Sequence, residues 1–278
     1  MPDIINIHRA NDYFQHLEVL KRNRNKRHRA GQFLVEGVRN ITQALAFGWP
    51  VSACIHDRDR PLSEWARQVL ATANADTHVK LTADLMRQLS DKDEPSELLC
   101  VCRMPTRTLE RLPLSARPLV LVFDRPASRG NLGSVIRSCD ALHADLLIPL
   151  GHGVDPYDPE TIRASTGSFF ALPVFQAGGF AELTPWLDSL RREHPDLQIV
   201  GASAQAESTI EACDFRRATI ALVGNETDGL GHRLQAACDT LVRIPMGGSA
   251  SSLNVACAAT VMLYEIDRQR RLAPPDIE

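Results

Sequence analysis

The sequence predicts an α/β protein of two domains, the second built on an open parallel sheet with helices on both faces. Three observations predict it. The 278 residues are 44% hydrophobic and 23% charged, a globular balance that excludes disordered, collagen-like and coiled-coil classes. At roughly 100–200 residues per domain, the length suits two cores. Strand-like and helix-like segments alternate from end to end, interrupted once by a proline-rich stretch.

In order, a helix is expected from about Asp12 to Arg22, a strand at Gln32–Glu36, and a helix opened by Gly37 and running to about Phe47. Val51–Ile55 reads as a second strand, 62–72 as a helix and His78–Leu81 as a third strand. A short helix and a fourth strand, Leu98–Met104, follow. Pro105–Pro118 holds three prolines. Proline restricts its own φ and drives the preceding residue out of helix, which places a linker at 109–117 between domains of residues 1–108 and 118–278. Leu119–Phe123 is then a nearly continuous apolar run, the mark of a strand buried on both faces of a parallel sheet. Asp145–Leu150, Leu197–Ser203, Thr219–Gly224 and Thr240–Pro245 supply further strands, with helical segments between them.

Several function classes drop out. No apolar run approaches the roughly 18–20 residues of a membrane helix, and the first residues lack the charged-then-apolar order of a secretion signal. Seven cysteines without a CxxC pair read as reduced thiols of a cytoplasmic protein. Nine histidines without HxxxH or HExxH spacing give no reason to expect a metal. No GxSxG serine elbow is present, and GHGVDP (151–156) lacks the third glycine of a dinucleotide fingerprint.

In open α/β sheets, ligands bind beyond the carboxyl ends of the strands. Three segments match that placement. In LVFDRPASRGNLGSVIRSCDAL (121–142), Gly130 and Gly133 permit tight turns and Asn131 can cap the helix or reach a ligand. Leu132, Val135, Ile136, Cys139 and Leu142 form the buried stripe. Arg137 lies off that stripe; taken alone it reads as a surface arginine beside Asp140. In ALVGNETDGL (221–230), a strand runs into a loop with free backbone groups. Glu226 and Asp228 could equally be acids decorating a helix N-terminus. RIPMGGSASSLNVACA (243–258) leads into a long helix expected to start near Ser251 or Ser252. Capping alone could explain Ser252 or Asn254. Few positions of that helix are charged before Glu265, so most of its faces should be buried, a subunit interface included.

The N-terminal part carries a separate signal. Lys21–Arg29 (KRNRNKRHR) holds six Lys/Arg in nine residues. Residues 1–47 contain eight Lys+Arg against four Asp+Glu, so the remainder of a chain of net charge −3 carries −7. Segregation of this kind suits an electrostatic footprint for a phosphate backbone, though a solvated helix end would look the same.

Together, RGNLGSVIR (129–137), VGNETDGL (223–230) and IPMGGSASSLNVACA (244–258) resemble the TrmH (SpoU) family of the SPOUT class, RNA ribose 2′-O-methyltransferases. DPYDPETIRASTGS (155–168) is similar to the family's intervening segment. FLVEGVRNITQAL (33–45) resembles its substrate-binding domain, itself akin to ribosomal protein L30e. The resemblance implies a deep trefoil knot in the C-terminal sheet, S-adenosylmethionine as cofactor, and a cytoplasmic homodimer with active sites at the interface. It implies catalytic roles for Arg137, Asn131, Glu226, Ser252 and Asn254, and cofactor binding by backbone around Leu222, Gly224, Ile244, Met246 and Leu253. Arg22, Arg24, Lys26, Arg27 and Arg29 would contact structured RNA, ribosomal or transfer. Two alternatives stand beside this: a non-catalytic RNA-binding or assembly protein, and an RNA base methyltransferase. In one departure, many relatives carry Asp-Pro just before the Asn-x-Gly of the first motif, where Ser128, Arg129 and Gly130 occupy the stretch here.

Overall fold

The strands sort into two sheets in the computed structural model, which describes residues 2–90 and 92–272. Residues 1, 91 and 273–278, the outer ends of both expected domains among them, lie outside the described residues.

The first sheet is formed by β1 (Asp3–Ile7), β2 (Gln32–Glu36), β3 (Val51–Asp57), β4 (Thr77–Leu81) and β5 (Leu98–Arg103). Their order is β1-β4-β3-β5-β2, parallel across β1-β4-β3 and antiparallel across β3-β5-β2. Helices α1 (Asp12–Arg22), α2 (Arg24–Ala30), α3 (Val38–Ala46), α4 (Glu64–Thr72) and α5 (Ala83–Leu89) connect them. Asn11 caps α1, its side chain accepting from Phe14 N at 3.0 Å. Phe14, Leu17 and Leu20 on α1 pack with Ile55, Val79 and Leu99 of the sheet. Two elements escape the sequence pattern. β1 is an edge strand with only Ile7 buried, so it lacks a clear alternation. α2 has no apolar face; its one buried residue is Arg27.

The second sheet contains β6 (Leu119–Asp124), β7 (Leu146–Leu150), β8 (Gln198–Ala202), β9 (Ser208–Thr209), β10 (Thr219–Val223) and β11 (Thr240–Arg243). The order is β7-β6-β10-β8-β11-β9, all parallel. β6, β7 and β10 are buried along their whole length, as the apolar runs require. Between the strands run α6 (Arg129–Ala141), α7 (Pro159–Ser165), α8 (Ser168–Ala171), α9 (Phe180–Glu193) and α10 (His232–Ala237). α11 (Val255–Leu272) follows β11 and packs along α6, with Ser138 Oγ and Thr260 Oγ1 2.6 Å apart.

The chain divides into two compact units, one of Met1–Thr106 with Tyr157–Ala171, the other of Arg107–Pro156 with Leu172–Glu278. The expected boundaries change in two places. Residues 109–117 are not a free linker: Leu109 is buried in the second unit's core, Leu112 and Leu114 pack against it, and Ser115 binds the Asp145 carboxylate through N and Oγ, both at 3.0 Å. Residues 157–171 belong to the first unit. Phe169 and Phe170 join Phe33 and Trp49 in an aromatic cluster with centroids 5.4–6.4 Å apart. Trp49 Nε1 donates to Phe170 O at 2.9 Å. Aromatic burial of this kind outweighs chain order in deciding where a segment packs.

Candidate functional site

β6, β10 and β8 lie side by side with β11 next, so the loops after their carboxyl ends meet on one edge of the second sheet. They enclose a cavity of about 570 Å³, within the range of small-molecule sites.

The first wall is the N-terminus of α6. The helix starts at Arg129, earlier than the glycines suggest, because Ser128 is the cap: its Oγ accepts from Asn131 N at 3.3 Å. Serine therefore does the capping work available to an aspartate there. Asn131 is freed from capping and lies in the first turn, at the cavity. The second wall is the turn after β10. Gly224 allows a backbone approach no other residue would: a Cβ there would collide with the Gly229–Leu230 backbone. Asn225 and Gly229 close the turn by reciprocal N–H to O bonds of 2.9 and 3.1 Å. The third wall is the loop after β11. Here α11 starts at Val255, not near Ser252, with Asn254 as cap: its Oδ1 accepts from Ala256 N at 2.8 Å. Ser252 is exposed on the cavity wall and has no hydrogen-bond partner among the described residues.

One polar chain ties the three walls. Asn254 Nδ2 donates to Asn131 Oδ1 at 3.2 Å, and Asn131 Nδ2 donates to Glu226 Oε1 at 3.1 Å. Glu226 also accepts from Ala127 N at 3.0 Å and Ser128 N at 3.1 Å. Burial pushes the Glu226 carboxyl up, but hydrogen bonds from Asn131 and the backbone outweigh it, so the net shift is downward. Glu226 is thus held ionised with its lone pairs engaged. That suits a clamp and makes it a poor proton acceptor.

Of the expected catalytic residues, Asn131, Glu226, Ser252 and Asn254 line the cavity. Arg137 does not. It is exposed on α6, six residues beyond Asn131, and pairs neither with Asp140 nor with any other described residue. Six residues are about 9 Å along a helix and most of two turns around it, which sets Arg137 on another face. Of the expected cofactor residues, Gly224, Ile244, Met246 and Leu253 line the cavity. Leu222 is the exception: it is fully buried in the sheet's core, and Val223 takes the wall position. Met246 and Leu253 are 39% and 40% exposed, apolar surface that a flat heterocycle would cover. Ala202, the last residue of β8, and Ser203, Ala204 and Gln205 after it also line the cavity, and no motif in the sequence singles them out. Their place follows from β8 lying between β10 and β11, a strand order no local signal reveals.

In the first unit, Arg22, Lys26 and Arg29 are exposed and Arg24 is half-buried. Arg27 must be removed from the expected RNA contacts. It is 1% exposed, donates to Leu20 O at 2.6 Å and Lys21 O at 3.1 Å, and pairs with Asp158 at 3.3 Å. Its guanidinium satisfies carbonyls left open by the last turn of α1.

No described helix is long and apolar enough to cross a membrane, and no described group of three or more His, Cys, Asp or Glu could hold a metal ion.

Comparison with known proteins finds the SpoU rRNA Methylase family model over residues 118–264 and the SpoU L30e-like domain over 11–100. A 23S rRNA (uridine(2479)-2'-O)-methyltransferase of Streptomyces viridochromogenes is 45% identical, over 94% of this chain and 91% of that protein. A 23S rRNA (guanosine(2553)-2'-O)-methyltransferase of Bacillus subtilis is 28% identical, over 87% and 90%. The crystal structure of the SpoU methyltransferase AviRb from Streptomyces viridochromogenes in complex with AdoMet superposes with TM-score 0.87, at 43% identity and over 95% of this chain and all of that one.

Proposed function

The chain belongs to the SpoU rRNA methylase family, and from that premise we propose that it methylates a ribose 2′-hydroxyl of ribosomal RNA in the cytoplasm. The observation that carries this reading is the Glu226–Asn131–Asn254 chain, which fastens three sequence-distant loops around one cavity. When bound there, S-adenosylmethionine supplies a methyl group already activated by its sulfonium. The protein's remaining tasks are alignment and charge.

The cavity fits the cofactor in size, in the apolar surface of Ile244, Met246 and Leu253, and in the backbone groups of the 224–229 turn. Ser252, whose hydroxyl has no partner among the described residues, is assigned the hydrogen bond to the ribose. The Arg137 guanidinium has no lone pair to accept a proton, so it is no base. Its fixed positive fork holds an RNA phosphate and stabilises the developing alkoxide, a contribution worth roughly 10²–10³ in rate. Arg137 stands outside its own chain's cavity, which supports a homodimer in which one copy's Arg137 serves the other's site. α11 offers the surface: Cys257, Val261 and Tyr264 lie exposed at i, i+4 and i+7, with Val261 37% and Tyr264 52% open. Arg22, Arg24, Lys26 and Arg29 draw in the RNA.

The trefoil knot belongs to the same reading. β10 lies between β6 and β8, β11 lies beyond β8, and the chain then returns as α11 against α6. An experimental chain trace from 119 to 272 tests it. The activity is tested by mapping ribose methylation in total RNA with and without the protein. One 2′-O-methyl in ribosomal RNA that depends on the protein is expected; a methylated base, or no change, contradicts the proposal.

A further inference from the structure

The cavity has a sign. Among the described residues that line it there is no Lys, Arg or His, and there are two carboxylates, Glu226 and Asp228. They are not equivalent. Glu226 spends its charge on three N–H donors of the neighbouring wall. Asp228 has a side chain 66% exposed, and its one charged partner among the described residues is Arg125, with Nη1 at 3.7 Å. That guanidinium is already committed elsewhere. Arg125 Nε and Nη2 reach the buried Asp124 carboxylate at 3.1 and 3.2 Å. One cation is thus divided between two acids, and the Asp228 charge on the cavity wall is only partly offset.

The donor and the product left after methyl transfer share adenine, ribose, α-amine and α-carboxylate. They differ at sulfur. Transfer breaks the methyl C–S bond, leaves its electron pair on sulfur, forms the C–O bond and releases the hydroxyl proton to water. A cationic sulfonium becomes a neutral thioether. A carboxylate on the wall attracts the first and is nearly indifferent to the second.

We propose that Asp228 is a specificity-determining residue that makes the cavity prefer the sulfonium donor to its thioether product, with Arg125 as the counter-charge that sets the strength of the preference. The inference rests on the reading of this cavity as the cofactor site. Its consequence is that the chemical step loosens the grip on the spent cofactor, which favours exchange for a fresh donor.

The test is calorimetry on the full-length chain with three ligands: S-adenosylmethionine, S-adenosylhomocysteine, and sinefungin, which carries an amine in place of the methylated sulfur. Asp228→Asn is expected to lower the donor-to-product affinity ratio about 3- to 10-fold through weaker donor binding, with sinefungin following the donor. Asp228→Glu keeps the ratio. Arg125→Gln raises it, a change opposite in sign that general damage to the loop would not produce. S-adenosylhomocysteine affinity within about twofold of the wild type certifies an intact cavity. An unchanged ratio in Asp228→Asn, or equal loss of all three ligands, overturns the role of Asp228 and leaves the cofactor site standing. Failure of the wild type to bind any of the three overturns both.

Discussion

Arg27 and Arg29 stand two residues apart in one basic run and have opposite fates. Arg29 is exposed, whereas Arg27 is buried against α1 carbonyls and Asp158. Removing one partner of a buried pair costs about 3–5 kcal/mol because the other charge is stranded. Arg27→Ala should therefore lower the stability of the fold by about that amount in urea denaturation. Combined neutralisation of Arg22, Lys26 and Arg29 should leave stability nearly unchanged and reduce the salt slope of RNA binding by roughly 0.7–0.9 for each phosphate the protein no longer neutralises. RNA binding unaffected by that triple variant would remove the footprint. Glu226 makes a second residue-scale prediction. Its folded pKa lies below the ordinary carboxylate value, so the stabilisation it brings is fully present above that value and is lost as pH falls through the depressed one. Cofactor affinity should then hold flat from neutral into mildly acidic pH and fall only at the acid end. A binding midpoint near neutrality, measured by calorimetry, would assign the titration to another group.

At the scale of elements, the turn after β10 and the exposed stripe of α11 matter most. Gly224 lies so close to Gly229 and Leu230 that a methyl cannot be accommodated without opening the turn. Overpacking costs typically about 1–3 kcal/mol, so Gly224→Ala should weaken cofactor binding roughly 10- to 100-fold. The fold should survive, because the turn sits at the surface end of a fully buried strand. Circular dichroism beside calorimetry separates the two effects. On α11, the buried side (Ala256, Ala259, Met262, Leu263, Ile266) faces its own unit, and the Cys257–Val261–Tyr264 stripe is left uncovered. In the proposed homodimer, Tyr264→Asp would place like charges against each other across the two-fold contact. It should shift the protein to a monomer in sedimentation velocity and abolish methylation, with little change in the thermal stability of the chain.

For the whole molecule, the question is whether one chain can complete its own site. With Arg137 outside the cavity of its own chain, two inactive variants should rescue each other. Arg137→Ala mixed with Gly224→Val, dissociated and reassociated, gives half heterodimers, each with one complete site. Recovery of about a quarter of wild-type activity is therefore expected for a two-fold dimer. No recovery would mean that Arg137 acts within its own subunit.

Local pattern alone determined most of the elements and much of the site. QFLVE is a strand at the residues expected, the LVLVF run is a strand buried throughout, and the segments bearing Asn131, Glu226 and Asn254 follow strand ends, because apolar periodicity and glycine placement act over a few residues. Other features needed the folded chain. The inward turn of Arg27, the capture of residues 157–171 by Phe33 and Trp49, and the wall contributed by Ala202–Gln205 all depend on partners dozens of residues away. The placement of Arg137 belongs with them: helix periodicity kept it off the buried stripe, but only the packing of the loops decided that the cavity lies on another side. A side chain's direction on an element is a local matter, whereas what it meets there is set by which distant segments the core brings alongside.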